Sequence, residues 1–160
     1  MSLMSKVTIN AGFACSGYEL KQLLSLMQEI KEVNLTGEKF ELNDVVYYTS
    51  RHAERMFYVA IVEGKIIGYV YAVLEGAGYV CLYFLAVKKE YQGQGIGKLL
   101  VNKVIAQVPR WKAKYIYSLS TNQNMTDFIS HLGFSEGEKL TYMKLKLTDK
   151  ITGTSMENKP

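Results

Sequence analysis

The residues of this chain best suited to chemistry are glycines. Gln92-Gly93-Gln94-Gly95-Ile96-Gly97 sets small residues at alternating positions, and Lys98 follows at once. Ahead of this segment, Tyr79, Cys81, Tyr83, Leu85 and Val87 form one alternating set and Val80, Leu82, Phe84 and Ala86 the other. Both sets are apolar, which is the pattern of a strand buried on two faces in mid-sheet. Behind the glycines, Ile96, Leu99, Leu100, Val104 and Val108 recur at helical spacing until Pro109 closes the segment. The glycines therefore stand where a strand turns into a helix N-terminus. The first four N–H groups of a helix lack intrahelical partners, and the macrodipole makes that end partly positive. Residues without a Cβ leave those donors bare, so a diphosphate can rest on backbone. Lys88, Lys89 and Lys98 add positive charge nearby. The plainer alternative is a tight strand-to-helix turn that needs small residues.

Other reactive side chains are sparse. Cys15 and Cys81 are isolated, without the spacing of a zinc site, and read as reduced thiols of a cytoplasmic protein. No metal site is expected. His52 is a lone histidine whose ordinary role is packing or surface. Glu75, Tyr83, Tyr117 and Ser120 are as compatible with packing or capping as with lining a cleft, so the catalytic residues stay unassigned.

The anion can be narrowed by its fingerprint. A Walker A loop needs G-x-x-x-x-G-K-[ST]; here Gln92 lies five residues before Gly97, and Leu99 follows Lys98. The dinucleotide pattern G-x-G-x-x-G, started at Gly93, would need its third glycine at Lys98. What remains is Q-x-x-G-x-G after a strand ending in Leu85-Ala86-Val87, and this resembles the acyl-CoA site of the GNAT acetyltransferase superfamily. The resemblance is specific over residues 85–100 and continues more weakly into Asn122 and Gly133-Phe134. By order of elements it covers residues 6–147.

The resemblance implies a mixed, mostly antiparallel sheet of α+β class, with flanking helices and a strand pair splayed at a bulge to admit the pantetheine arm. It implies that backbone at Leu85 and Val87 pairs with that arm, and that Gln92, Gly93, Gln94, Gly95, Ile96, Gly97 and Lys98 donate N–H groups to the pyrophosphate. Asn122 matches the family's asparagine that contacts pantetheine, and Phe128 its apolar residue beside the cofactor. The implied activity is acetyl transfer from acetyl-CoA to a primary amine, small molecule or peptide, by direct attack in a ternary complex. Two positions depart from the family. Ile129 stands four residues before Gly133, where a tyrosine usually protonates the leaving thiolate, and Cys81 stands where one branch carries a glutamate base. These departures keep a second reading open: a CoA-binding sensor or structural module without transfer activity.

The elements that must position the loop follow in chain order. Lys6–Asn10 reads as a short strand. Ser16 and Glu19 form a capping box for a helix with Leu20, Leu23, Leu24, Met27 and Ile30 on one stripe, running through Lys31. Val33–Asn43 is a polar connection, after which Asn43 or Asp44 caps a short helix carrying Val46, Tyr47 and His52. Met56–Val62 and Ile66–Leu74 make a hairpin about Glu63-Gly64-Lys65. Past Pro109 come a strand at Tyr115–Ser120, a helix at Met125–Leu132 stopped by Gly133, and a last strand at Tyr142–Leu147.

Residues 1–147 read as one domain and 148–160 as a polar tail, within a chain of 160 residues and net charge +4. Lysines and glutamates are interspersed, which argues against a nucleic-acid-binding face. No apolar run approaches the ~20 residues of a membrane span. The N-terminus has no basic-then-apolar leader pattern. A monomer or homodimer is expected.

Overall fold

The computed structural model describes residues 6–30, 37–76, 78–120 and 122–138. Among the described residues one sheet carries five strands in the order β1 (Thr8–Ala11), β2 (Arg55–Val62), β3 (Lys65–Leu74), β4 (Tyr79–Val87) and β5 (Tyr115–Tyr117). Neighbours from β1 to β4 are antiparallel, and β4 pairs with β5 in parallel. The helices are α1 (Gly17–Glu29), α2 (Leu42–Thr49), α3 (Ile96–Ile105) and α4 (Gln123–His131). This is the expected mixed, mostly antiparallel α+β architecture.

Burial on both faces of the sheet fixes the layers. On one face Val70, Ala72, Val80, Leu82 and Leu85 pack with Ile96, Leu100, Val101 and Val104 of α3, while Met125 and Phe128 of α4 and its C-cap Leu132 flank them. On the other, Phe57, Val59, Tyr69, Tyr71 and Ala86 pack with Leu23, Leu26 and Met27 of α1 and Val45 of α2. Each fully buried Val, Leu, Ile, Phe or Met among them contributes ~1.5–3 kcal/mol by leaving water. That packing, more than intrinsic propensity, holds the ten residues of α3 in place.

Glu63 and Gly64 both have positive φ, 51° and 75°, the pair of left-handed residues that lets a two-residue turn follow strand twist between β2 and β3. Between β3 and β4 the register slips: Tyr71 faces Phe84, and Ala72 faces Leu82. Tyr83 is the extra residue of a bulge. Alternation along β4 therefore shifts by one at that point, which corrects the faces expected from strict periodicity. Val80, Leu82 and Leu85 all join the α3 side, whereas Phe84 and Ala86 join the α1 side. Nor is β4 buried throughout, since Tyr79 and Tyr83 are 45% and 48% exposed.

Several boundaries differ from periodicity. The regular helix of α1 stops at Glu29, before Lys31. The N-cap of α2 is Glu41, whose N–H is accepted by Asp44 Oδ2 at 2.7 Å, so Asp44 serves as the reaching-back partner and Asn43 lies inside the helix. His52 lies beyond the end of α2. Helix α3 ends at Ile105, and Val108 and Pro109 belong to a separate short 3-10 turn ending at Trp111. The strand expected to reach Ser120 stops at Tyr117, and α4 begins two residues before Met125. The expected strand at Tyr142–Leu147, the tail at 148–160, the first residues of the chain and part of the Val33–Asn43 connection lie outside the described residues.

Candidate active site

The glycine segment forms a short bridge from β4 to α3. A 3-10 turn at Lys89–Tyr91 leads into Gly93 and Gly95, at φ 72° and 84°. That left-handed region costs little without a Cβ. Gly95 is the N-cap of α3, and no side chain caps the helix. The first helical bond runs from Leu99 N–H to Gly95 O at 3.0 Å, which leaves the N–H groups of Ile96, Gly97 and Lys98 at the helix end without intrahelical partners.

The two glutamines brace this loop rather than fill it. Gln92 Nε2 donates to Val87 O at 2.9 Å, and Gln94 Nε2 donates to Glu90 O at 3.0 Å. The Gln92 N–H is itself engaged by Lys89 O at 3.2 Å, so the free donor series begins at Gly93, one residue later than expected. A Cβ added at Gly93 would meet nothing within 4 Å, so the loop surface is open there. At Gly97 the same atom would lie 3.0 Å from Phe128 Cζ. Glycine at that position lets the Phe128 ring of α4 sit against the first turn of α3.

Beside the loop, the edge of β4 beyond Leu82 pairs with no strand among the described residues. Its pairing with β5 is confined to Tyr79, Val80 and Cys81, opposite Tyr115, Ile116 and Tyr117. Lys88 N–H donates to Ile67 O at 2.8 Å, towards β3. Amide directions alternate along a strand, so Ala86 also faces β3, while Leu85 and Val87 face the side that β5 has left. The bond from Gln92 to Val87 O agrees with that direction. Unpaired edge backbone is what an extended ligand segment pairs with. The sequence-expected Leu85 and Val87 are thus next to the uncapped end of α3, and the geometry suits a ligand with an extended arm and an anionic end.

Asn122 stands at the N-cap of α4. Its Oδ1 accepts from Met125 N–H at 2.9 Å, and its carbonyl accepts from Ser120 Oγ at 2.8 Å. Its side-chain oxygen is therefore a capping group, and its Nδ2 hydrogens have no acceptor among the described residues. Neither departure from the family supplies an acid or a base. Ile129 is buried at 7% exposure, and Cys81 is buried at 2%. Burial, the largest influence, pushes the Cys81 thiol up to about 11; the hydrogen bond with Tyr117 lowers it and the Glu75 charge raises it further. A thiol in that state is neutral at ordinary pH.

On the α1 side of the sheet, at the end where β4 and β5 still pair, the structure joins residues whose roles periodicity left open. Glu75 Oε1 accepts from Tyr83 Oη at 2.6 Å, and Glu75 Oε2 accepts from Tyr117 Oη. The bulge directs Tyr83 to this carboxylate, and the β4–β5 register sets Tyr117 beside Cys81. Hydrogen bonding to Glu75 is the first cause of raised hydroxyl pKa values at both tyrosines. No sequence signal ties Tyr117 to Glu75 across 42 positions; only the register does.

His52 Nδ1 accepts from Glu54 N–H at 3.3 Å, a local turn contact. It lines a shallow cavity with Phe13, Thr49, Arg51 and Arg55 that includes no residue of the glycine loop. Among the described residues no cluster of three or more His, Cys, Asp or Glu side chains is placed to hold a metal ion. No described helix is long and apolar enough to cross a membrane.

Comparison with known proteins follows the same lines. The sequence matches the model of the acetyltransferase (GNAT) family over residues 20–134. No curated protein sequence matches it. An aminoglycoside acetyltransferase, meta-AAC0020, from an uncultured soil metagenomic sample and solved with sisomicin, superposes with TM-score 0.71 at 19% identity, covering 92% of this chain and 100% of its own. The structure of AAC(6')-Iy with a bisubstrate analog, CoA-S-monomethyl-acetylneamine, gives TM-score 0.66 at 16% identity over 88% of this chain and 99% of its own. The ribosomal-protein-S18-alanine N-acetyltransferase of Escherichia coli gives 0.61 at 16% identity over 82% and 79%. At these identities the likeness is one of fold.

Proposed function

The chain belongs to the GNAT acetyltransferase family, and from that premise we propose that it transfers an acetyl group from acetyl-CoA to an amine. The observation that carries this reading is the juxtaposition of two unsatisfied backbone surfaces. Free N–H groups from Gly93 to Lys98 meet a diphosphate, and the outward amides of Leu85 and Val87 meet the pantetheine arm. Residues without a Cβ at Gly93 and Gly95, both in left-handed backbone, keep the approach clear. Phe128 supports the first turn of α3 from beneath, and Asn122 lies at the start of α4 with its Nδ2 donors free to meet an amide carbonyl of the arm.

In the reaction the neutral acceptor nitrogen attacks the thioester carbonyl. The nitrogen–carbon bond forms, the carbon–sulfur bond breaks, the thiolate leaves with the electron pair, and the proton lost by the attacking nitrogen passes through water to that thiolate. The Val87 N–H, aimed at the open edge, polarises the carbonyl oxygen as negative charge develops there. The thiol of CoA resembles a cysteine thiol near ~8.5, so its thiolate leaves at neutral pH without a dedicated acid. Solved relatives act on aminoglycosides and on a ribosomal protein. Acceptors of both sizes are therefore compatible with this fold.

A second reading, CoA binding without transfer, is favoured by one observation: the positions of the family's acid and base hold a buried Ile129 and a buried, neutral Cys81. Two measurements separate the readings. CoA stabilises the native state by RT ln(1 + [L]/Kd) and so raises the thermal midpoint, with ATP and NAD giving smaller shifts at equal concentration. Thiol release from acetyl-CoA is then measured across a panel of aminoglycosides, polyamines and peptide N-termini. Stabilisation with acceptor-dependent release supports the transferase. Stabilisation without release across the panel supports the binding module, and equal stabilisation by ATP removes the CoA assignment.

A further inference from the structure

The Glu75 carboxylate is a charge without a counter-charge. It lies at the surface, within hydrogen-bond reach of two tyrosine hydroxyls. Among the described residues no lysine or arginine pairs with it; the exposed ion pair of Lys6 with Glu63 lies elsewhere. This occurs in a chain of net charge +4. An ionised carboxylate offers about four acceptor positions, and the two tyrosines occupy one on each oxygen, so one on each remains.

The surroundings are aromatic and open. Tyr83 is 48% exposed, Tyr79 45% and Tyr115 60%. The rings of Tyr79 and Tyr115 stack at 5.4 Å, and the Tyr79 carbonyl accepts from Glu75 N–H at 3.0 Å, which ties the backbone of that pair to the residue that carries the carboxylate. Tyr71 continues the surface from Tyr83 at 6.1 Å towards the interior. Aromatic faces attract organic cations through their quadrupole, by ~0.5–1 kcal/mol at exposed sites. A carboxylate adds charge-assisted hydrogen bonds. Tyrosines that donate to Glu75 also keep it oriented and leave their own oxygens free to accept.

We propose that Glu75, Tyr83 and Tyr117, with Tyr79 and Tyr115 beside them, form a binding subsite for an organic ammonium group. The inference rests on the acetyltransferase reading for its purpose. The subsite adjoins the point where β5 leaves β4, so it selects acceptors that carry a second cationic amine besides the one acetylated. A diamine or amino sugar fits this description, and a mono-amine of neutral or acidic character does not. The carboxylate binds charge and positions the acceptor, and no covalent step is assigned to it.

The test uses cadaverine as the cation and pentanediol as its neutral counterpart, each titrated into the full chain and followed by amide and tyrosine ring resonances. The expected result is saturable shifts at Tyr83 and Tyr117 with cadaverine and none with pentanediol. Glu75→Gln keeps two acceptor or donor positions at an exposed site, so it folds, and it weakens cadaverine at least about tenfold. Tyr83→Phe weakens it about threefold. Glu63→Gln, in the Lys6 ion pair, leaves binding unchanged. Absence of saturable shifts in the parent, equal binding by pentanediol, or unaltered affinity in folded Glu75→Gln overturns the subsite. CoA calorimetry on the same samples keeps the two conclusions apart. CoA binding with no cadaverine response overturns the subsite alone. A cadaverine response lost in Glu75→Gln, without CoA binding, supports the subsite while removing the acetyltransferase reading.

Discussion

Helices α1 and α3 begin in opposite ways. At the start of α1, Ser16 Oγ accepts from Glu19 N–H at 3.3 Å and Glu19 Oε2 accepts from Ser16 N–H at 2.7 Å. Its end is closed by its own side chains. At the start of α3, Gly95 supplies no side chain, the first turn contains no acidic residue, and the N–H groups of Ile96, Gly97 and Lys98 are left over. Burial does not account for the contrast, because the glycine loop is exposed and water can satisfy either end. On the proposed reading, α1 is closed for stability and α3 is left able to receive an anion. A helix N-terminus alone would not establish this. Its weight comes from the adjoining edge of β4, where backbone groups of Leu85 and Val87 are also turned outward.

The strongest way to break this contrast is to make α3 resemble α1. Gly95→Asp supplies a capping carboxylate to the same donors a diphosphate would use and adds like charge beside it. With the fold kept, CoA affinity falls by about 3 kcal/mol or more, roughly 100-fold, the equivalent of two charge-assisted hydrogen bonds. Stability changes far less, because the new cap offsets part of the strain of a non-glycine residue at φ 84°. Calorimetry with CoA and a chemical melt measure the two effects. Parent-like affinity in a folded Gly95→Asp protein would move the phosphate site away from α3.

The reciprocal change is smaller and falls on the other observable. Ser16→Ala removes one arm of the α1 capping box and costs about 1 kcal/mol in a denaturant titration. CoA affinity stays as in the parent. A variant that lost CoA affinity as well would tie the two ends together and end the division between a closed helix and an open one.

These two ends also mark what was legible in the sequence. Both are local: Ser16 and Glu19 are three residues apart, and the glycines follow one another within a single turn. Short-range spacing carries such features well, and it marks the run of β4, the hairpin about Glu63-Gly64-Lys65 and the glycine turn into α3. What spacing cannot carry is register. A single extra residue at Tyr83 exchanged the faces of everything after it in β4, and periodicity alone gives no sign of a bulge. The contact of Tyr117 with Glu75 exists only because β5 pairs at Tyr79 to Cys81 and stops. Strand β5 stops at Tyr117, short of the Ser120 that its alternation predicts, because side-chain pattern does not mark where backbone pairing ends. Glu75, Tyr83 and Tyr117 are therefore visible in the sequence as candidate cleft residues, with Ser120, but not as a hydrogen-bonded group.

The smallest expected effect concerns α4, which lies between the two extremes. Its N-cap Asn122 holds Met125 N–H through Oδ1, as Ser16 does for α1, yet it stands at the position where the family resemblance assigns a contact with pantetheine. The two roles use different atoms of one side chain. Capping needs the oxygen; a contact to an amide carbonyl of the arm needs the Nδ2 hydrogens. Asn122→Asp keeps the acceptor, and its charge at a helix N-terminus adds ~0.3–1 kcal/mol of stability. It also removes the only donors the side chain has. Asn122→Ala removes both and costs about 1 kcal/mol in stability. If both roles operate, CoA affinity falls about three- to tenfold in either variant, the value of a neutral hydrogen bond, while the melting temperatures move in opposite directions. An Asn122→Asp protein of raised stability and parent affinity would reduce Asn122 to a cap, and α4 would then belong with α1 among the closed helices.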